Sequence, residues 1–210
     1  MEIIRRVEEI CGRKRITFES GWQVWLMKRR EPPFPLEEGA EIDVEAFRKH
    51  ILLSQYPSAL DRAVALLAQR PHSKGEIRTR LENACYDPEV ISLVLYKLEK
   101  ENLVDDTDFA LQWVQSRLKK YGTARIRREL RLKGVDPETA EKALTSAAEE
   151  EQLEHAAEFA ARKLRSFPDP VDRRKAFRSV TAALVRRGYS WETARKAFEA
   201  AGGNTEGFTD

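Results

Sequence analysis

The stretch RLKGVDPETAEKAL, Arg131 to Leu144, decides the fold because the chain writes it more than once. RRGYSWETARKAF, Arg186 to Phe198, and NACYDPEVISLVL, Asn83 to Leu95, carry the same phrase. Shifted by 49 residues, Ser73–Leu95 lies over Gly122–Leu144 without a gap. Ile77 falls on Ile126, Leu81 on Leu130, and Asp87-Pro88-Glu89 on Asp136-Pro137-Glu138. Shifted by 54, GVDPETAEKAL lies over GYSWETARKAF, and Val180 and Leu184 take the places of Ile126 and Leu130. Self-similarity at a near-constant period marks a repeat array.

The phrase spells helix, tight turn, helix. Gly134 and Gly188 follow the last periodic apolar residue, where a left-handed residue closes a helix. Asp87, Asp136 and Ser190 are N-cap types for the next helix. Pro88 and Pro137 fall at the first helical position, where the missing N–H costs nothing. Glu89, Glu138 and Glu192 follow, favourable at a helix N-terminus. An apolar helix precedes each pair: Leu60–Ala68, Phe109–Arg117 and roughly His155–Leu164. Each unit is therefore three helices, and the loop SFPDP lengthens the third. A unit this small is expected to stack on its neighbour to cover its apolar side.

The first fifty residues read differently. RITFESGWQVWL, Arg15 to Leu26, alternates Ile16 and Phe18, then Trp22 and Val24, around Ser20-Gly21. That pattern predicts a β-hairpin with Gly21 at the turn. Ile4 to Val7 offers a third strand, and EPPFPLEEGAEID breaks any regular element. Trp22 and Trp25 fall on opposite strand faces, as an interaction surface or as packing on the first unit. Helical periodicity begins after about Tyr56. The reading is mainly α: three tandem three-helix repeats in an elongated curved array, with a small N-terminal β-hairpin module. The divisions are 1–50 for the β-rich module, 55–104, 105–150 and 151–203 for the repeats, and 204–210 for a tail.

Of 210 residues, 41% are hydrophobic and 34% charged, which favours amphipathic helices with much solvated surface. Net charge is only +2. Cys11 and Cys85 form no metal spacing and read as reduced thiols. His50, His72 and His155 are isolated. The charged start MEIIRRVEEICGRKR is unlike a signal peptide, and a cytoplasmic protein without membrane contact is expected.

RPHSKGEIRTRL (Arg70–Leu81), LEKENLVDDTDFALQWVQSRLKKYGTARIRRELRLKGVDPETAEKAL (Leu98–Leu144) and ALVRRGY (Ala183–Tyr189) together resemble the RecX family, regulators of the RecA recombinase. The resemblance runs from about Leu60 to Phe198 and is strongest in the second unit. Ile77 stands where the family usually shows leucine, and Ala84-Cys85-Tyr86 replaces the first unit's usual lysine-glycine. The resemblance implies a curved rod lying in the groove of a RecA filament on single-stranded DNA. It implies damped ATP hydrolysis, strand exchange and co-protease activity, with roles in DNA repair, recombination and the SOS response. It also implies a weak, sequence-independent DNA contact; a monomer is expected.

The charges cluster. Arg117, Lys119, Lys120, Arg125, Arg127, Arg128, Arg131 and Lys133 crowd the second unit, opposed locally by Glu129. Arg173, Arg174, Arg178, Arg186 and Arg187 lead a second basic zone. Acidic zones at Glu31–Glu45 and Glu149–Glu158 balance them. These thirteen cations are the candidate partner or DNA-binding residues, weighed against plain solvated helix faces. Phe109 and Trp113, at helical spacing, are expected in the core. Trp191 is expected as a local clamp.

Catalytic signatures are missing from the sequence. It contains no GxxxxGK[ST] phosphate loop, no GxGxxG, no HExxH and no GxSxG. Asp105, Asp106 and Asp108 lack the glycine and terminal glutamate of a calcium loop and read as a helix start. No enzyme, cofactor or metal is expected. Two alternatives to the filament regulator remain: a helix-turn-helix DNA reader, or a helical-repeat adaptor for another protein. The acidic starts of the second turn helices count against the reader.

Overall fold

Two compact units, Met1–Asp105 and Asp106–Asp210, divide the chain. The computed structural model describes residues 1–10, 13–27, 33–145, 149–167 and 172–203. Cys11, most of SFPDP and the 204–210 tail lie outside the described residues.

In the first unit, alternation produces sheet. Strands β1 (Glu2–Ile10), β2 (Arg13–Phe18), β3 (Gln23–Met27) and β4 (Glu41–Ile42) form an antiparallel sheet in the order β3-β2-β1-β4. Ile16 pairs with Val24 and Val7, and Ile4 with Phe18. Gly21, at φ 86°, makes the predicted turn. The sheet is thus larger than the hairpin, because β1 and the short β4 cover its other side. One face buries Ile4, Ile16, Phe18, Val24, Leu26 and Ile42. Neither tryptophan is free: Trp22 stacks on Phe18 at 4.7 Å, and Arg15 covers the Trp25 ring at 5.6 Å.

Helix α1 (Val44–Leu67) begins well before Tyr56, where helical periodicity is first legible. The Asp43 carboxylate caps it, accepting from the amides of Glu45 and Ala46. Phe47, Ile51, Gln55, Ala59 and Ala63 recur every four residues and form its buried stripe. The first part of that stripe lies under the sheet, with Phe47 5.6 Å from Phe18. The second part belongs to the first three-helix repeat, with α2 (Lys74–Asn83) and α3 (Pro88–Lys100). One hydrophobic core takes in both sheet and repeat.

Gln55 joins the two parts by polar contacts. It is buried; its Nε2 donates to the Trp25 carbonyl of the edge strand at 2.8 Å. Its Oε1 accepts from the Asp87 amide at 2.8 Å. Asp87 in turn caps α3, accepting from the Glu89 amide at 2.9 Å, and burial raises its carboxyl above the usual range.

The second unit contains α4 (Asp106–Leu118), α5 (Thr123–Leu132), α6 (Pro137–Thr145), α7 (Glu149–Leu164), α8 (Arg173–Arg186) and α9 (Trp191–Ala200). Ile77, Ile126 and Val180 are all fully buried, as are Leu81, Leu130 and Leu184, so the aligned positions share one environment. The turns match as well. Tyr86 N donates to Leu81 O, Val135 N to Leu130 O and Tyr189 N to Leu184 O, at 3.1–3.2 Å. Each bond spans a left-handed residue: Gly134 at φ 72°, Gly188 at 91°, and Cys85 at 59°. The first repeat therefore makes the same turn with a side chain that disfavours it. The cores of the α4–α6 and α7–α9 repeats are separate, so the expected stacking of apolar sides does not join them. Among the described residues no helix is long and apolar enough to cross a membrane.

Two outcomes follow. Cys85→Gly relieves the left-handed strain and should stabilise the chain by about 1 kcal/mol in urea unfolding. Gln55→Leu leaves a strand carbonyl and a buried amide unmatched and should cost about 3 kcal/mol in the same assay.

Candidate partner-binding surface

The predicted basic residues have two fates. Some are consumed within the second unit. Trp113 is half-buried rather than core: it stacks on buried Phe109 at 5.9 Å, and its indole Nε1 donates to Glu129 at 3.2 Å. Lys133 Nζ lies 4.0 Å from its ring centre and the Arg117 guanidinium 4.4 Å, so both cations cover the ring. Arg117 Nε also approaches Glu129 at 3.5 Å, too far for a good hydrogen bond. Arg125 donates to Glu129 at 3.0 Å and sits over Tyr121 at 3.8 Å. Arg127 reaches across to α6, where its fork holds both carboxylate oxygens of Glu141. That hydrogen bonding raises the Arg127 pKa and lowers that of Glu141. Both partners are half exposed, so the pair adds at most about 1 kcal/mol.

Others remain exposed. Arg128 and Arg131 on α5, and Arg178 and Arg186 on α8, make no ion pair among the described residues. Arg174, Arg178, Ala182 and Arg186 recur every four residues along an exposed stripe of α8. Arg173 faces elsewhere, beside Leu164, Arg165 and Phe198 at one end of the third repeat. Lys119 and Lys120 are exposed after α4. Trp191 meets Phe177 edge-on at 5.9 Å, the local clamp expected of it.

What brings α5 and α8 together is a backbone junction. Gly122 N donates to Arg187 O at 3.0 Å, and Ala124 N to Gly188 O at 3.2 Å. These are N-terminal amides of α5, which has no side-chain cap. The closing turn of α8 supplies the acceptors instead. Arg187 reinforces the contact: its Nη1 donates to Lys120 O at 3.3 Å, and its guanidinium lies 4.1 Å from the Phe159 ring centre. The approach needs two glycines. A Cβ on Gly122 would stand 2.3 Å from Gly188 O, and one on Gly188 would stand 2.5 Å from Arg125 Cβ.

Beside this junction runs a groove lined by Ala124, Arg125, Arg128 and Leu132 of α5 and Val185 and Arg186 of α8. The two basic zones of the sequence thus meet at Arg128 and Arg186. The apolar lining is an addition to the basic faces expected from the sequence. The signal for it is Leu132, which falls off the Ile126–Leu130 stripe and so cannot share its burial.

The fold is that of a tandem three-helix-repeat protein. Family models described as the first, second and third three-helix domains of RecX match residues 59–98, 105–144 and 149–198. The chain belongs to the RecX family. The Regulatory protein RecX of Corynebacterium efficiens is 38% identical over 148 residues, 66% of this chain and 70% of its own. That of Chlorobaculum tepidum is 36% identical over 141 residues, 66% of this chain and 85% of its own. A crystal structure of RecX from Lactobacillus salivarius superposes with TM-score 0.66 at 19% identity, covering 71% of this chain and 98% of that one. A crystal structure of a regulatory protein RecX gives 0.63 at 23% identity, covering 95% of this chain and 100% of that one.

Alanine at three glycines separates the junction's two demands. Gly202 has φ 86° and open space around its Cβ direction, so Gly202→Ala should cost only the backbone strain, about 1 kcal/mol. Gly122→Ala meets only the contact, and Gly188→Ala meets both. Each should cost more than Gly202→Ala in thermal unfolding, with Gly188→Ala the largest. Amide exchange at Ala124 should speed up in Gly122→Ala and Gly188→Ala and stay unchanged in Gly202→Ala.

Proposed function

We propose that this protein is a non-enzymatic regulator that binds the RecA nucleoprotein filament and inhibits it, lowering ATP hydrolysis, strand exchange and co-protease activity. The observation that carries the reading is the meeting of two basic faces at one fixed junction, in a chain of this family. Arg128 and Arg131 from one repeat, and Arg178 and Arg186 from the next, offer cations that no described carboxylate neutralises. A filament presents the same surface at each protomer, so several modest contacts made by one chain reinforce one another through effective concentration. Charge speeds such docking and makes it salt-dependent. Its place of action is the cytoplasm, where the filament forms.

Titrating the protein into RecA-catalysed ATP hydrolysis on single-stranded DNA should inhibit it at concentrations comparable to RecA. Combined Arg128→Glu, Arg131→Glu and Arg186→Glu should raise the half-inhibitory concentration at least tenfold without loss of helicity. Arg127 is a poor choice for charge reversal, because a glutamate there would face Glu141. Arg127→Ala should leave inhibition within about twofold of the parent, in line with the small effect of an exposed pair. No inhibition by the unsubstituted chain would remove the reading.

A further inference from the structure

The groove between α5 and α8 combines charge with exposed apolar surface. Leu132 is 77% exposed and Val185 44%, and both line it with Ala124. Arg128 and Arg186 stand beside them without ion pairs among the described residues. The other two charges lining it, Arg125 and Glu129, neutralise each other at 3.0 Å. Among the described residues no aromatic ring lines the groove. Ala124, Arg128 and Leu132 recur every four residues, which makes a stripe along α5 of roughly 12 Å at the helical rise. That length holds about four residues of extended chain.

This composition discriminates between partners. Single-stranded nucleic acid uses arginines but also stacks its bases on aromatic faces, and an exposed leucine gives a phosphodiester backbone nothing. Protein interfaces place apolar contact at the centre and use arginine forks for carboxylates. We propose that the α5–α8 groove binds an acidic segment of the partner protein. One aliphatic or aromatic side chain of that segment packs on Leu132 and Val185, and flanking carboxylates pair with Arg128 and Arg186. The inference rests on the filament reading above and specifies what the site takes from the filament: a short stretch of RecA with at least two carboxylates around one apolar residue. Gly188 both lines the groove and accepts the Ala124 amide, so the junction holds the two walls together before binding.

The test places a photo-crosslinking benzoyl-phenylalanine at position 132 of the full chain, and separately at 185. Each protein is irradiated with RecA filaments on single-stranded DNA, sedimented and mapped by mass spectrometry. The expected product is a crosslink to a RecA peptide with at least two aspartates or glutamates within four residues of the attachment point. Leu132→Asp should weaken co-sedimentation at least tenfold with an unchanged thermal midpoint, since the leucine is exposed. Crosslinks to DNA, to a second copy of this chain, or to a RecA stretch without acidic residues overturn the proposal. Full co-sedimentation with no crosslink from either position overturns it too, while leaving filament binding intact. Failure of the unsubstituted chain to sediment with filaments instead brings down the filament reading, and this inference with it.

Discussion

Two peptide amides at the start of α5 have no partner within their own repeat, and that shortage organises the second unit. Most helices meet it with a side-chain oxygen at the N-cap. Here the acceptors are the carbonyls of Arg187 and Gly188, at the closing turn of α8. The polarity suits the contact, since the partly positive start of one helix meets the partly negative end of another. Because both sides are backbone, the distance between the helices is set by hydrogen-bond length rather than by side-chain packing. Only glycine at 122 and 188 permits that distance. The separate cores of the two repeats are thereby tied through backbone, next to Tyr121 on one side and Tyr189 on the other.

The same requirement explains why one repeated phrase is spelled in three ways. Gly122 aligns with Ser73, and Ser73 caps α2 by accepting from the Glu76 amide at 3.1 Å. A serine at 122 would restore a local cap and close off the approach of α8. The second helix turn shows the reverse latitude. Gly134 and Gly188 supply a left-handed residue at little cost, and Cys85 adopts the same conformation with a Cβ. The six-to-one hydrogen bond across the turn survives that change, because it depends on backbone shape and not on residue type. Glycine is essential where another backbone approaches, and only favourable where φ alone demands it.

How much of this is legible in the sequence follows from the range of each cause. Local causes read well. The caps Asp87, Asp136 and Ser190, the turns at Gly134 and Gly188, and the buried pairs Ile126–Leu130 and Val180–Leu184 depend on neighbours within one or two turns. Long-range causes do not. Gln55 reads as a polar residue in a helical pattern, and its burial depends on Trp25 and Asp87, which lie about thirty residues away on either side. The start of α1 is hidden by its surroundings. The spacing of Phe47 and Ile51 and the Asp43 cap mark it, but the prolines just before it read as a break, and the helix also carries Pro57 within it. The N-terminal strands read as a hairpin with a third strand at Ile4 to Val7, and β4 escapes because it is two residues long and pairs with a strand some forty residues earlier.

The basic clusters show how far composition can carry a site. Counting arginines overstates the surface open to a partner, since Arg117, Arg125, Arg127 and Lys133 are used by Trp113, Tyr121, Glu129 and Glu141. Repulsion among those that remain is weak grounds for a binding role: like charges one helical turn apart cost only about 0.2–0.5 kcal/mol, and salt screens them further. Exposed apolar surface is the stronger discriminator. A leucine costs little on a surface by itself, so Leu132 alone would carry no meaning. It gains meaning from lining one groove with Val185, Arg128 and Arg186, whose guanidinium groups make no ion pair among the described residues, on walls that the glycine junction ties together. In the proposed docking, charge there sets which partner approaches, and the apolar lining sets which residue of that partner stays.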